Sequence, residues 1–211
     1  MAQNIENLIT SREEFLRDIS HELRTPISKG LFAVETLEDS QAKRLIEKSF
    51  SELERLSSEL LEIEKLHAMN TLQSESFKAE TLILESLSRL ILEDESKIEI
   101  DIKDNFLIVG DLNYLSLALK NLIDNAIKYT NEFPVYIVAD KDKIVVKNQG
   151  EKLLHDISYY FEAFTQEANS RGAKGYGLGL NIVKKIMDIH QFTLSYDYVE
   201  GYHLFTFNFK I

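Results

Sequence analysis

Phe15-Leu-Arg-Asp-Ile-Ser20-His21-Glu22-Leu23-Arg24-Thr25-Pro26 sets a titratable ring beside a carboxylate, with a hydroxyl one helical turn further on and a proline after it. Around it Ile5, Leu8, Phe15, Ile19, Leu23, Ile27, Leu31, Val34 and Leu37 recur every three or four positions, the signature of a long amphipathic helix. His21 and Thr25 are an i, i+4 pair and so share one face of that helix. Pro26 removes a ladder hydrogen bond and predicts a bend. Taken alone, a histidine on a helix reads as an ordinary core or surface residue. A His-Glu-x-x-His zinc site is the other alternative, but its fifth position is Thr25, so the second ligand is missing.

Working outward, the pattern predicts a first helix over residues 5–38, roughly 50 Å long at about 1.5 Å per residue. Glu38-Asp39-Ser40 is a polar break, and Ile46, Phe50, Leu53, Leu60 and Ile63 carry a second helix over 41–67. A short connection makes the pair an antiparallel hairpin. Such a hairpin has an apolar stripe that it cannot bury alone, so a dimer forming a four-helix bundle is expected, with packing on the downstream domain as the alternative. The register is already running at Ile5, which implies an upstream part.

Residues 68–76 lose the pattern and read as a linker or hinge, and 77–211 read as a second domain. Helices are expected over Ala79–Leu92, Asp111–Thr130 and Leu178–His190. Strands are expected over Ile98–Ile102, Phe106–Val109, Val135–Ala139, Lys143–Lys147, Phe192–Val199 and His203–Lys210. Mixed strands with helices on one face make this an α+β layer domain.

Composition narrows the function. With 35 acidic against 24 basic residues and a net charge of −11, the chain is a poor partner for nucleic acid or an anionic membrane surface. It has no cysteine, hence no disulfide, thiol nucleophile or cysteine-based zinc site. No apolar run approaches the roughly 20 residues a membrane span needs, and the N-terminus is not a signal peptide.

Half of the eight glycines, Gly172, Gly175, Gly177 and Gly179, fall close together. Glycines let backbone amides approach phosphate oxygens, and the helix expected from Leu178 adds its positive end. The order fits neither a P-loop nor the dinucleotide fingerprint, so a glycine-rich surface loop is the alternative. Upstream, Asn121, Asn125 and Lys128 share a helix face by their four- and three-residue spacing. Asparagine carbonyls are hard oxygen ligands suited to Mg²⁺, Lys128 suits phosphate, and Tyr129 offers an aromatic face to a base. A solvated polar face is the plain alternative.

The order and spacing of these segments over residues 5–211 resemble the sensor histidine kinases of two-component systems. Residues 15–26 resemble their phosphoacceptor box. Asn121–Thr130, Phe161-Glu-Ala-Phe164 and Gly175–Leu180 resemble the asparagine, phenylalanine and second glycine boxes of the ATP-binding domain shared by histidine kinases, gyrase, Hsp90 and MutL. The resemblance implies an α+β architecture: a dimeric helical hairpin followed by a GHKL-type (Bergerat) α/β sandwich. It implies that Asn125 binds Mg²⁺, that Lys128 and Arg171 bind the phosphates of ATP, and that Tyr129 stacks on the base. Asn121, Asn148, Gly150, Gly175, Gly177, Leu178 and Gly179 would complete the nucleotide site, with Phe161 and Phe164 ordering a lid or serving as core aromatics.

Two departures stand out. The first glycine box of the family reads Asp-x-Gly-x-Gly, whereas here it reads Asn148-Gln149-Gly150-Glu151-Lys152, which predicts weaker or differently selective ATP binding. His190-Gln191-Phe192 replaces the usual His-Gly-Gly turn. His67, His155, His190 and His203 show no partner pattern. The implied activity is ATP-dependent phosphorylation of His21, with Glu22 accepting the ring proton, followed by transfer to an aspartate of a response-regulator receiver domain. Glu22 to Thr25 also resembles the family's dephosphorylation motif, in which Thr25 would orient water. The expected setting is the cytoplasmic part of a protein held in the bacterial inner membrane by upstream segments. The alternative is a catalytically silent relative that acts as a regulator-binding scaffold.

Overall fold

The computed structural model describes residues 23, 25–67, 72–92, 94–165 and 176–210. The chain divides into two compact units, residues 1–70 and 71–211. His21 and Glu22 lie outside the described residues, as do Arg171 and Gly175.

In the first unit, helix α1 is described over residues 25–35 and helix α2 runs Gln41–His67. The connection is built from side-chain caps. Ser40 Oγ accepts the Lys43 N–H at 3.1 Å, satisfying one of the orphan donors of α2. Lys43 Nζ reaches back to the carbonyls of Glu35 (3.2 Å) and Leu37 (2.9 Å), where α1 leaves acceptors unpaired. The helix therefore stops three residues before the expected Glu38, and 36–40 form the turn. Ile27, Val34 and Leu61 are buried. Gly30 faces the Phe50 ring so closely that a Cβ there would lie 2.3 Å from Cζ, so any larger residue at this contact between the two helices would have to displace the ring. Phe32, Leu37, Leu45, Ile46 and Leu53 remain exposed.

The second unit is a two-layer sandwich. Strand β1 (Glu75–Lys78) pairs antiparallel with β3 (Leu107–Gly110). Strands β2 (Ile98–Ile102), β4 (Val135–Asp140), β5 (Lys143–Gln149), β6 (Thr193–Val199) and β7 (Tyr202–Asn208) form a sheet of order β2-β4-β5-β7-β6, parallel only between β2 and β4. Helices α3 (Ala79–Ser88), α4 (Leu112–Tyr129), α5 (Ile157–Phe161) and α6 (Gly179–Ile189) complete it. The core lies between sheet and helices: Leu82, Leu115, Leu119, Ile123, Ile137, Ile144, Val146, Ile182, Ile186 and Phe207 are all fully buried. The alternation along β4 and β5 puts every second residue into that layer, as expected for a sheet covered on one face.

In this unit α3, β1 and α5 differ most from expectation. Helix α3 ends at Ser88 rather than Leu92: Leu90 N–H bonds the Leu87 carbonyl, and Ile91 beyond it is exposed. Strand β1 begins at Glu75, inside the stretch expected as linker, because pairing with β3 recruits a segment with only Phe77 to bury. The short α5 was not expected; Asp156 caps it by accepting the Ser158 N–H at 2.9 Å.

Candidate nucleotide-binding site

Helix α4 carries the polar residues singled out in the sequence. Asp111 starts it, its carboxylate accepting the N–H groups of Asn113 (3.1 Å) and Tyr114 (3.2 Å) on one oxygen and of Gln73 (3.1 Å) on the other. Asn121 is buried on this helix and accepts a bond from Lys120 Nζ at 3.3 Å. Asn125 is half-buried one turn on. Lys128 is already paired, its Nζ 2.5 Å from Asp124 Oδ2. A phosphate reaching Lys128 would thus meet an ammonium whose charge is shared. Tyr129 ends the helix with its ring exposed.

The start of α6 lies against the same helix. A Cβ on Gly179 would stand 3.4 Å from Asn125 Nδ2 and 3.6 Å from its Oδ1, which places the Asn125 carboxamide at the first turn of α6. That turn begins at Leu178, which is buried and, among the described residues, has no side-chain cap. The first N–H groups of a helix have no partners within it, so an uncapped start is a receptive place for anionic oxygens. The donor set therefore suits a nucleoside triphosphate: helix amides for phosphate, and in Asn125 one hard oxygen for a Mg²⁺ whose other ligands come from phosphate and water. Among the described residues no cluster of three or more His, Cys, Asp or Glu offers an all-protein metal site.

Two further strips of chain converge here. Gly177 has φ +72° and approaches Thr165 so closely that a Cβ would lie 2.3 Å from its carbonyl oxygen. The Phe164 N–H donates to the Gly177 carbonyl at 3.1 Å, and Asn181 Nδ2 donates to the Phe161 carbonyl at 2.7 Å. The phenylalanine box is thereby tied to the second glycine box by a backbone bond and to α6 by the Asn181 side chain. The Phe164 ring is 63% exposed, which overturns the core-aromatic alternative for that residue. Phe161 is half-buried.

At the other end of α4, a Cβ on Gly150 would lie 3.5 Å from the Tyr129 carbonyl, and the Asn131 N–H donates to the Gln149 carbonyl at 3.0 Å. Asn148 is only 3% exposed on the core face of β5, and among the described residues its side chain makes a single long bond, Nδ2 to the Gln149 carbonyl at 3.4 Å. Sequence reasoning brought Asn125, Gly177, Leu178 and Gly179 to one place, and the structure does the same. It missed Asn181, Tyr198 and His203, whose partners are set by the tertiary fold, and Asp124, whose i, i+4 spacing to Lys128 is shared by many helical pairs. Thr25 is exposed on α1.

A sandwich of this topology, with an asparagine-bearing helix against an uncapped glycine turn, defines an ATP-binding domain of the histidine kinase and gyrase class. Residues 110–211 match the family described as "Histidine kinase-, DNA gyrase B-, and HSP90-like ATPase", and residues 11–68 match the "His Kinase A (phospho-acceptor) domain". The chain is 32% identical over 199 residues to the sensor histidine kinase ArsS of Helicobacter pylori, covering 93% of this chain and 46% of that one. It is 32% identical over 206 residues to the sensor histidine kinase CpxA of Escherichia coli, covering 90% and 45%. Among solved structures, full-length ShkA in complex with AMPPNP superposes with a TM-score of 0.72 at 25% identity, over 92% of this chain and 45% of that one. The chain belongs to the sensor histidine kinases of two-component systems. It spans about half the length of these relatives. No helix among the described residues is long and apolar enough to cross a membrane.

Proposed function

We propose that this chain is the catalytic core of a sensor kinase that transfers the γ-phosphoryl group of ATP to a ring nitrogen of His21. The observation that carries the reading is the placement of Asn125 at the uncapped first turn of α6, beside the Gly177 approach to Thr165. Asn125 would hold Mg²⁺, with the amides of the α6 turn, Lys128 and Arg171 on the phosphates. Asn121, Tyr129, Asn148, Gly150, Phe164, Gly175, Gly177, Leu178 and Gly179 would complete the nucleotide site. The ion supplies neutralisation of phosphate charge, the main requirement of phosphoryl transfer.

An imidazole with an ordinary pKa near 6.5 has a free lone pair at physiological pH. The His21 nitrogen would form the new N–P bond as the bond from the γ-phosphorus to the β,γ-bridging oxygen breaks, releasing ADP. Glu22 would accept the proton from the second ring nitrogen. The phosphoryl group would then pass to a receiver-domain aspartate of a response regulator, and Thr25 would orient water when that aspartyl phosphate is hydrolysed. Phe32, Leu45, Ile46 and Leu53, exposed on the hairpin, suit burial against a second copy in a four-helix bundle. Residues 68–74, the part of the expected linker that precedes β1, would serve as the hinge between hairpin and ATP domain, and upstream segments would link the cytoplasmic core to the membrane.

Asn148 and Lys152 favour a second reading, a scaffold that no longer turns over ATP. The test is incubation with Mg²⁺ and γ-labelled ATP, comparing wild type with His21→Gln and measuring ATP binding in parallel. Acid-labile, alkali-stable label confined to the wild type is the expected result. Absence of both label and ATP binding would replace the kinase reading with the scaffold.

A further inference from the structure

The loop after β5 is held by a cluster remote from the phosphate end of the site. Strands β6 and β7 are joined by Glu200 and Gly201, both at positive φ (52° and 85°), a tight turn of the kind that matches sheet twist. Because β7 pairs with β5 in the register Asn148↔His203 and Gln149↔Tyr202, this hairpin lies directly beside residues 148–150. The Gly150 N–H donates to the Gly201 carbonyl at 3.0 Å, and the Gly150 carbonyl accepts the Tyr198 hydroxyl at 3.0 Å. Both polar groups of Gly150 are thus committed to one hairpin.

The third side of Gly150 is closed by a buried imidazole. A Cβ on Gly150 would lie 2.6 Å from His203 Nε2 and 2.9 Å from its Cδ2, so the ring occupies the space a side chain would need. That ring is oriented in turn by the Tyr196 hydroxyl, 2.9 Å from Nδ1, and the Tyr198 ring packs on it at 5.2 Å between centroids. Tyr196, Tyr198 and His203 form a continuous strut from β6 and β7 to Gly150.

From this geometry we infer that Tyr198 and His203 are positioning residues for the base end of the nucleotide. The hairpin clamps Gly150 so that residues 148–150 meet the purine as a preformed wall. A loop already fixed in its binding conformation loses less freedom when ligand arrives, and the saving appears as affinity. Neither residue needs to touch the nucleotide. The inference rests on reading residues 148–150 as the base-binding strip.

Tyr198→Phe removes one oxygen and keeps the ring, and Tyr196→Phe releases the imidazole without altering it. Hydrogen exchange at the Gly150 amide, the melting temperature, and the Kd for Mg-ATP and Mg-GTP are measured on wild type and both variants. Tyr198→Phe is expected to speed Gly150 exchange and raise the Kd for ATP about fivefold, roughly the worth of one hydrogen bond, with kcat at saturating ATP unchanged. Tyr196→Phe is expected to act in the same direction and provides the answer should Tyr198→Phe fold poorly. Faster exchange with an ATP Kd within about twofold of wild type would make the strut merely structural and overturn the inference. Absence of ATP binding in the wild type itself would overturn the nucleotide-site reading, and the inference with it.

Discussion

The Nε2 atom of His190, the residue that closes α6, accepts the backbone N–H of Asp111, the residue that opens α4, at 3.1 Å. With Nε2 accepting, the ring proton sits on Nδ1 and is donated to the Ile186 carbonyl at 2.7 Å. A buried neutral imidazole therefore joins the end of one core helix to the start of another. The sequence offered no partner for this histidine.

Burial pushes the His190 pKa below its ordinary value of 6.5, against smaller opposing pulls from the Ile186 carbonyl and the Asp111 carboxylate. Below about pH 6.5 the unfolded chain takes up a proton that the folded ring resists. Stability is thus fully present above that pH and is lost as pH falls through the depressed folded pKa. Urea unfolding from pH 7.5 down to 5 is expected to show this decline in the wild type. His190→Gln is expected to flatten the curve in that window, at a cost of about 1–3 kcal/mol at pH 7.5 from the broken pair of bonds.

Gly177 cannot be replaced at its φ of +72°, since a Cβ would press on the Thr165 carbonyl and amide at 2.3 and 2.7 Å. Gly177→Ala should part the second glycine box from residues 164–165 while the sheet remains intact. The expected outcome is an unchanged far-UV circular dichroism spectrum with ATP affinity weakened about tenfold or more, an effect of about 1.4 kcal/mol. Wild-type affinity in this variant would show that the approach is dispensable for nucleotide binding.

Asn148 presents a carboxamide, which both donates and accepts, where a carboxylate would only accept. In the proposed site this lets a 6-keto purine compete with a 6-amino purine. Asn148→Asp should raise the preference for ATP over GTP by about tenfold, as charge strengthens the bond to an amino group. The melting temperature should fall, because a carboxylate is costly at a position only 3% exposed. Equal ATP-to-GTP ratios in the two proteins would remove Asn148 from the base contact.

Helix α6 ends in a motif that ordinarily takes glycine. The Phe192 N–H bonds the Met187 carbonyl at 2.9 Å and the Gln191 N–H bonds the Asp188 carbonyl at 3.0 Å, with Gln191 at φ +59°. A side chain at this φ costs about 1 kcal/mol or more. Gln191→Gly is expected to raise stability by about 0.5–1 kcal/mol, after the entropy glycine gives up, seen as a rise of about 1–4 °C in the melting temperature. A lower melting temperature would mean that the Gln191 side chain contributes more than its backbone strain costs.

Much of the architecture was legible in the chain. Helices α2, α4 and α6 fall within a residue or so of their periodic stretches, because an amphipathic stripe and a capping residue such as Ser40 or Asp111 are local signals. Strand β1 was not legible, since Glu75-Ser76-Phe77-Lys78 has a single apolar residue and exists as a strand through its ladder to β3. The overrun of α3 arose because Leu90, Ile91 and Leu92 look like more core, yet Ile91 is exposed. At the site, asparagine spacing and clustered glycines could be read directly, whereas the Asp124 contact to Lys128 was one more i, i+4 pair among many.

By itself, the order of residues determined that this chain is a helical hairpin followed by an ATP-binding sandwich, because periodicity and the motifs built on it are written in near neighbours. Only the tertiary structure decided that Asn125 faces Gly179, that His190 bonds Asp111, and that Gly150 is clamped by Tyr198 and His203. Those partners come from distant strands and helices. Burial of the shared core brings them within hydrogen-bond range, and no local spacing encodes where a distant element will come to rest.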